Sequence, residues 1–125
     1  MTHRQLTILA ALNLMVAVGA GAFGAHGLKR MLTPELLSVW QTGVLYHLVH
    51  ALGLFVVALL GARYGSPLLS AAGTVMFAGI VLFSGSLYLL SLTGTHWLGA
   101  VTPFGGVAFL ASWGMVALAA YRSQS

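Results

Sequence analysis

The sequence contains very few charged residues. Asp, Glu, Lys and Arg together make up 5% of the 125 residues, whereas soluble domains carry about 25%. Such a chain cannot cover a water-facing surface of ordinary polarity, so lipid must supply much of its solvent. A charge at the centre of the bilayer is costly, and none of the six charged residues lies deep within an apolar run: Arg4, Lys29, Arg30, Glu35, Arg63 and Arg122.

Two further absences exclude whole classes of chemistry. The chain has no Cys, which excludes disulfides, cysteine nucleophiles and thiolate metal or iron–sulfur sites. Its single acidic residue, Glu35, falls in the predicted first turn of a helix, whereas proton-coupled carriers usually hold Asp or Glu inside the membrane. The five basic residues form no patch, so we expect no nucleic-acid partner. We also predict no catalytic group and no metal site.

Long apolar segments fill most of the chain, of which 59% is hydrophobic. Three hydroxyl–proline pairs mark helix starts, because Ser or Thr caps the first turn and proline at the first helical position loses no hydrogen bond. These pairs are Thr33-Pro34, Ser66-Pro67 and Thr102-Pro103. The hydroxyl residue of each pair is the predicted N-cap, and a capping box of Thr2 with Gln5 begins the first helix.

These signals predict one domain, 1–125, with four membrane-spanning helices. The helices run near 3–26, 34–60, 67–93 and 103–121, and glycines suit their ends at Gly27, Gly61 or Gly65, and Gly94. Spanning the hydrocarbon takes about 20 residues, and the fourth helix meets this length with the least margin. Short connections favour an all-α, antiparallel four-helix transmembrane bundle, while the continuous apolar runs argue against a β-barrel.

The N-terminal segment also resembles a secretory signal, because Arg4 precedes an apolar stretch that ends in an A-x-A pattern at 20–22. We favour an uncleaved helix, since its Gly and Ala residues suit helix packing. Four crossings put three arginines on the side of the termini, and Lys29, Arg30 and His96 on the other side. Cytoplasmic loops carry an excess of Lys and Arg, so both termini are predicted to be cytoplasmic.

The end of the first predicted helix is rich in small residues. Ala20 with Gly24, and Gly21 with Ala25, form small-xxx-small pairs, which let helices approach closely in lipid. We predict that these four residues pack against another helix, in the same bundle or in a second copy. The alternative is a close approach of this backbone to a bound lipid or quinone.

The second predicted helix carries His47 and His50, which are three residues apart and therefore on one face. A His inside a membrane segment is a functional hypothesis by default, whereas the structural interpretation is an interhelical hydrogen bond to Ser84, Ser86, Tyr88 or a backbone carbonyl. The candidate ligand site or polar interhelical cluster comprises six residues: His26, Tyr46, His47, His50, Ser84 and Tyr88.

The orientation of the second helix follows from the cost of an unpaired imidazole in hydrocarbon. We predict that His50 and Tyr46 point into the bundle and meet the first or the third helix. A haem bound by two histidines needs imidazoles on facing helices at one depth, and the third and fourth helices contain no His. Only a symmetric dimer could supply such a pair. We therefore predict no cofactor and keep haem or quinone as alternatives.

Several motifs along nearly the whole chain resemble one family. They are GAFGAHGL at 21–28, WQT at 40–42, YHLVHAL at 46–52, SGSLYLL at 84–90, TPFGG at 102–106 and Trp113. Together they resemble the family called domain of unknown function 423, which includes YgdD-type bacterial inner-membrane proteins and eukaryotic transmembrane protein 256. The resemblance implies a small multi-pass inner-membrane protein without an assigned activity. His26 and His50 match its pattern, whereas the position of His47 is often Gln in it.

The sequence favours a non-enzymatic membrane protein, because its helices carry too few acidic groups for catalysis. Such a protein would act as an accessory or assembly component, or as a homo-oligomer. Its expected partners are the lipid bilayer and either a second copy or another membrane protein. The first alternative is a binder of quinone, haem or lipid at a face formed by His26, Tyr46 and His50. The second alternative is a small permeation unit with pores between subunits.

Overall fold

The computed structural model describes residues 1–123, which form helices joined by short connections. In chain order the helices are α1 (His3–Ala25), α2 (Gly27–Met31), α3 (Pro34–Tyr64), α4 (Pro67–Thr93), a 3-10 helix (His96–Ala100) and α5 (Thr102–Arg122). Four segments are long and apolar enough to cross a membrane: α1, α3, α4, and the stretch from the 3-10 helix through α5. The predicted all-α fold with four transmembrane helices is therefore confirmed.

The helix starts follow the predicted capping chemistry in three respects. A proline occupies the first turn of α3, α4 and α5, as predicted. The Thr2 hydroxyl accepts from the Gln5 amide while the Gln5 side chain accepts from the Thr2 amide, which completes the capping box of α1. At the start of α3, the Thr33 hydroxyl accepts from the Leu36 amide at 3.2 Å.

Of the two remaining predicted N-caps, one makes no side-chain bond and the other is wrong. Ser66 is the N-cap of α4 as predicted, but its side chain makes no capping bond, and the Leu69 amide donates to the Ser66 carbonyl at 3.1 Å instead. Thr102 is the first residue of α5 and not its cap. The 3-10 helix leads directly into α5, so the Thr102 backbone is already helical and its hydroxyl bonds Ser86 at 2.6 Å instead.

The ends of the helices depart from the prediction by up to one turn. Gly65, with φ of 63°, ends α3 in the left-handed conformation, so the helix continues four residues past the predicted end at residue 60. Gly61 lies inside the helix, where a Cβ would come within 2.8 Å of the His3 ring. Gly94, with φ of 69°, ends α4 as predicted. The short helix α2 had no counterpart in the prediction.

The hairpin of α3 and α4 forms the centre of the molecule. In the most apolar stretch of each helix, 50% of the residues of α3 are buried but only 17% of those of α1. α1 packs on α3, and α5 packs on α4. Within residues 1–123, α1 and α5 do not pack on each other to a comparable extent. The largest apolar core draws on all four spans: Leu6, Ala10, Leu54, Val57, Ala58, Leu69, Met76, Ile80, Phe109 and Ala119.

The small residues of α1 pack against α3, as the sequence predicts, with one exception. A Cβ at Gly24 would come within 2.7 Å of the Trp40 ring, and the Trp40 indole donates to the Ala20 carbonyl at 2.9 Å. A Cβ at Gly21 would lie 3.3 Å from the Val44 side chain. Ala25 is exposed, because it lies about 100° around the helix from the buried Gly24.

Candidate intramembrane binding cleft

Three polar side chains from three helices meet in the interior of the bundle. The His47 ring of α3 is only 4% exposed. Its Nε2 lies 2.9 Å from Asn13 Oδ1 on α1, and its Nδ1 lies 2.9 Å from Tyr88 Oη on α4. Asn13, His47 and Tyr88 are called the triad below. The Asn13 amide nitrogen also donates to the Leu9 carbonyl at 2.9 Å.

The hydrogen bonds of the triad all run in one direction. A carbonyl can only accept, so the bond to Leu9 identifies the Asn13 amide nitrogen and turns Asn13 Oδ1 toward His47. His47 Nε2 must then donate, and Nδ1 of the neutral ring accepts from the Tyr88 hydroxyl. Two bonding capacities are left without a partner in residues 1–123: the second N–H of Asn13 and the lone pairs of the Tyr88 oxygen.

The triad borders a cleft of about 400 Å³ between α1, α3 and α4. The other lining residues are mainly apolar: Leu12, Val16, Phe77, Ile80, Val81, Ser84 and Gly85. No charged side chain of the described residues lines the cleft. Leu12, Val16 and Val81 are each at least 50% exposed, so the cleft opens on the surface that faces lipid.

The cleft exists because α1 and α4 touch near the start of α1 and leave space between them farther along. Leu6 packs so closely on Gly73 that a Cβ there would come within 2.5 Å of the Leu6 side chain. At Gly85, by contrast, a Cβ would meet no atom within 4 Å. Asn13 lies ten residues into α1, which is about 15 Å along its axis. That is about half of the length of α1, so Asn13 lies near the middle of its span, whereas Tyr88 lies only five residues before the end of α4.

His50 belongs to a second group of side chains, on the side of α5. Its ring is 4% exposed and stacks on the Phe109 ring with centroids 3.5 Å apart. His50 Nδ1 donates to the Tyr46 carbonyl at 2.8 Å, and His50 Nε2 accepts from the Trp113 indole at 3.0 Å. An indole N–H can only donate, so His50 is neutral with its proton on Nδ1. Both of its nitrogens are therefore engaged within the bundle.

The structure corrects two predictions about the helix that carries these histidines. His47 and His50 lie only about 60° apart around the helix, but they do not form one site, because each contacts different helices. His50 points into the bundle as predicted, but its partner is the fourth span, α5, and not the first or the third span, α1 or α4. Tyr46 does meet the third span, α4, and the centre of its ring lies 4.5 Å from that of the Phe83 ring. Its phenol is 40% exposed, and its hydroxyl bonds no residue of 1–123.

His26 does not join either group. It lies exposed at the turn between α1 and α2, beside Lys29 and Arg30 at the rim of a surface depression. Thirteen residues separate it from Asn13, which corresponds to about 20 Å along a helix axis. The predicted six-residue cluster therefore separates into two groups and one surface residue.

Of the three hydroxyl groups predicted as partners of the histidines, only one bonds a histidine. Tyr88 bonds His47, but the Ser84 hydroxyl donates to the Gly43 carbonyl at 2.8 Å, and Ser86 bonds Thr102. The backbone carbonyl that bonds His50 Nδ1 belongs to Tyr46 of the same helix, so it is not the interhelical carbonyl that was the remaining alternative.

The two histidines do not fit the requirements of a haem ligand in this structure. Both ring nitrogens of His47 and of His50 already form hydrogen bonds, so neither ring has a nitrogen left for an iron. Within the described part of the chain, no three His, Asp or Glu side chains come together as metal ligands do.

Asn13 was not among the residues predicted for the site. A signal was present, because Asn13 is a single amide side chain within the apolar run of the first helix, and polar residues in such a run need a partner. Trp113, which stands in the middle of the last apolar run, has its indole hydrogen-bonded inside the bundle.

Comparison with known proteins identifies relatives over nearly the whole chain. The family model "Protein of unknown function (DUF423)" matches residues 20–106. "UPF0382 membrane protein YwdK" of Bacillus subtilis is 58% identical over 116 residues, covering 92% of this chain and 94% of the relative. A UPF0382 membrane protein of Staphylococcus epidermidis is 47% identical over 115 residues, covering 92% of this chain and 93% of the relative. No solved structure matches. With its four membrane-spanning segments, the chain thus belongs to the DUF423 family and is a multi-pass membrane protein.

Proposed function

We propose that this chain is a non-enzymatic component of the bacterial plasma (inner) membrane that binds an uncharged, lipid-soluble molecule in the triad cleft. One observation carries the proposal. Three polar side chains from three helices converge within the membrane-spanning part of the bundle, on the wall of an otherwise apolar cleft that opens to lipid. Polar groups at that depth are costly, and small-molecule sites combine an apolar lining with a few such groups.

The size and shape of the cleft support a small occupant. Its volume of about 400 Å³ lies within the range of about 300–1,000 Å³ that is usual for ligand sites. The mouth lies between two spans, so a molecule dissolved in the hydrocarbon can enter sideways without crossing water.

The chemistry of the lining supports binding over catalysis. Among residues 1–123, no Asp, Glu, Lys or Arg lines the cleft, and both nitrogens of His47 are engaged in hydrogen bonds. A general acid or base needs a group that can reach the reacting atom and exchange a proton with it. The triad offers only weak, neutral donors and acceptors.

A test of the proposal fills the cleft without touching the triad. Gly85→Leu adds a side chain where a Cβ meets nothing within 4 Å, and Gly114→Leu makes the same change on α5 at a position that is equally open. Apolar molecules that co-purify in mild detergent are extracted and compared by mass spectrometry. We expect at least one species other than bulk phospholipid in the wild type and in Gly114→Leu, and its loss in Gly85→Leu. An identical set of molecules in all three proteins would refute the proposal.

A further inference from the structure

We propose a second binding site, for an anionic phosphate group, at the turn between α1 and α2. The site is the surface depression lined by Ala25, His26, Gly27, Lys29 and Arg30, which is called the basic depression below. It shares no lining residue with the triad cleft, so this site does not depend on the proposed function.

The spacing of three side chains brings them to one side of α2. Lys29 and Arg30 follow His26 by three and four residues, and residues at these separations are neighbours on a helix. Polar atoms form much of the wall of the basic depression, whereas the wall of the triad cleft is almost entirely apolar. Glu35, the single acidic residue of the chain, does not line the depression. The lining therefore carries positive charge with no negative charge to offset it.

The turn that carries these side chains is held in place from another of its faces. Leu28 is only 1% exposed and packs with Trp40 and Val44 of α3. Lys29 and Arg30, in contrast, are exposed. Because Leu28 anchors the turn, its backbone does not have to be ordered when an anion binds, which favours binding.

The depression has room for a head group. Its volume is about 700 Å³, within the range of about 300–1,000 Å³ that is usual for ligand sites. Ala25 and Gly27 are small, so an occupant can approach the backbone between the basic side chains. A guanidinium group binds two phosphate oxygens at once, and an ammonium group adds a point charge. Arg30 and Lys29 thus supply the two kinds of cation that recognise phosphate.

The depth of the basic depression matches that of phospholipid head groups. The 23 residues of α1 extend for about 35 Å, which exceeds a hydrocarbon core of about 30 Å. Phe23 and Met31, which precede and follow the lining residues in the chain, are 50% and 73% exposed, so they can contact acyl chains beside the depression. The phosphate can therefore belong to an anionic phospholipid, or it can come from the aqueous phase as free phosphate.

The first experiment measures lipid binding by native mass spectrometry of the protein in detergent. The probes are phosphatidylglycerol, which is anionic, and phosphatidylcholine with the same acyl chains, which has no net charge. Lys29→Gln/Arg30→Gln removes both charges of the depression, and Arg4→Gln/Arg63→Gln removes two exposed charges at the other end of the bundle. We expect the first variant to bind phosphatidylglycerol about thirty-fold more weakly, the effect of two basic residues at a membrane surface. The control variant should bind it as the wild type does, and phosphatidylcholine binding should not respond to either variant.

A second pair of variants tests the shape of the site at constant charge. Ala25→Phe fills the basic depression, and Ala22→Phe makes the same change one turn earlier, at an exposed residue that does not line it. We expect only Ala25→Phe to weaken the binding of phosphatidylglycerol. Equal binding by these two variants would overturn the depression as the site.

Titration calorimetry with inorganic phosphate on the same proteins distinguishes the two sources. Lipid binding that depends on Lys29 and Arg30 identifies a phospholipid head group, and inorganic phosphate binding that depends on them identifies free phosphate. The proposal is overturned if neither probe responds to Lys29→Gln/Arg30→Gln, or if both double variants lose lipid binding equally. None of these outcomes bears on the triad cleft, whose test changes Gly85.

Discussion

At the scale of single residues, the two buried histidines belong to two small, separate hydrogen-bonded groups. His47 links α1 to α4 through Asn13 and Tyr88, and His50 links α3 to α5 through Trp113. In lipid there is little hydrophobic force between helices, so hydrogen bonds and close packing determine how spans associate. Each group therefore contributes to a different helix contact, and substitutions in the two groups should act independently.

Replacing Tyr88 by Phe should destabilise the protein by about 0.6–1.7 kcal/mol, because His47 Nδ1 then lacks its donor in hydrocarbon. The matched control is Tyr46→Phe, which removes a hydroxyl that bonds no residue of 1–123. Reversible unfolding in detergent, followed by circular dichroism, gives both free energies of unfolding. A cost for Tyr46→Phe as large as that for Tyr88→Phe would contradict the assigned roles.

Replacing His50 by Leu should cost about 1–3 kcal/mol, since it removes two hydrogen bonds and the ring stacked on Phe109. His96→Leu changes an exposed imidazole in the 3-10 helix and should alter stability by less than about 0.5 kcal/mol. The same unfolding measurement compares the two. If both variants unfold alike, His50 does not hold the bundle together.

The sequence identified which residues need partners more readily than it identified the partners. His47 and His50 are recognisable because an imidazole in an apolar run is costly. Their separation onto different neighbours depends on how α3 is rotated, and a spacing of three residues leaves that rotation open. His26 shares a motif with residues of α1 but lies past the end of that helix, and a motif alone does not show this distance.

At the scale of helices, glycines determine how closely the spans approach each other. The contact of α4 with α5 depends on Gly105, where a Cβ would come within 2.3 Å of the Phe83 backbone nitrogen. Gly79 allows the same pair of helices to approach at the Phe109 ring. Because the close atoms at Gly105 belong to the backbone, the contact cannot relax by rotation of a side chain.

Gly105→Ala should therefore destabilise the protein by about 1–3 kcal/mol, through overpacking between α4 and α5. Gly114→Ala, in the same helix, meets nothing within 4 Å and should be neutral or stabilise by up to about 1 kcal/mol through helix propensity. Unfolding in detergent, monitored by Trp fluorescence, measures both. Equal effects of the two substitutions would exclude this contact as the cause.

The helix starts were predictable because proline and capping residues act locally. The helix ends were less so, since either Gly61 or Gly65 could take the left-handed conformation that ends α3. The choice of Gly65 frees Gly61 to receive the His3 ring of α1. That is a contact between residues 58 positions apart in the chain, and no local rule anticipates it.

At the scale of the whole molecule, four antiparallel spans bring both ends of the chain to one side of the membrane. Arg4, Arg63 and Arg122 lie at that side, while Lys29, Arg30 and Glu35 lie at the other. An excess of basic residues is typical of cytoplasmic segments. We therefore propose that both termini face the cytoplasm.

This orientation can be tested directly because the chain has no native Cys. Single cysteines replace Thr2, Thr95 and Ser123 in turn, and a membrane-impermeant maleimide is added to intact cells. We expect labelling of the Thr95 variant alone, with the other two labelled only after the membrane is permeabilised. Labelling of the Thr2 and Ser123 variants from opposite sides would require an odd number of spans.

The arrangement in which α3 contacts α1, α4 contacts α3, and α5 contacts α4 has a consequence for biosynthesis. Because the main contacts join consecutive spans, every span after the first finds a partner already in the membrane as it leaves the ribosome. Contacts of this sequential kind favour fast and ordered assembly. A nascent chain that ends after α3 should accordingly form a disulfide between cysteines placed at Gly21 and Val44, which face each other across the first helix pair.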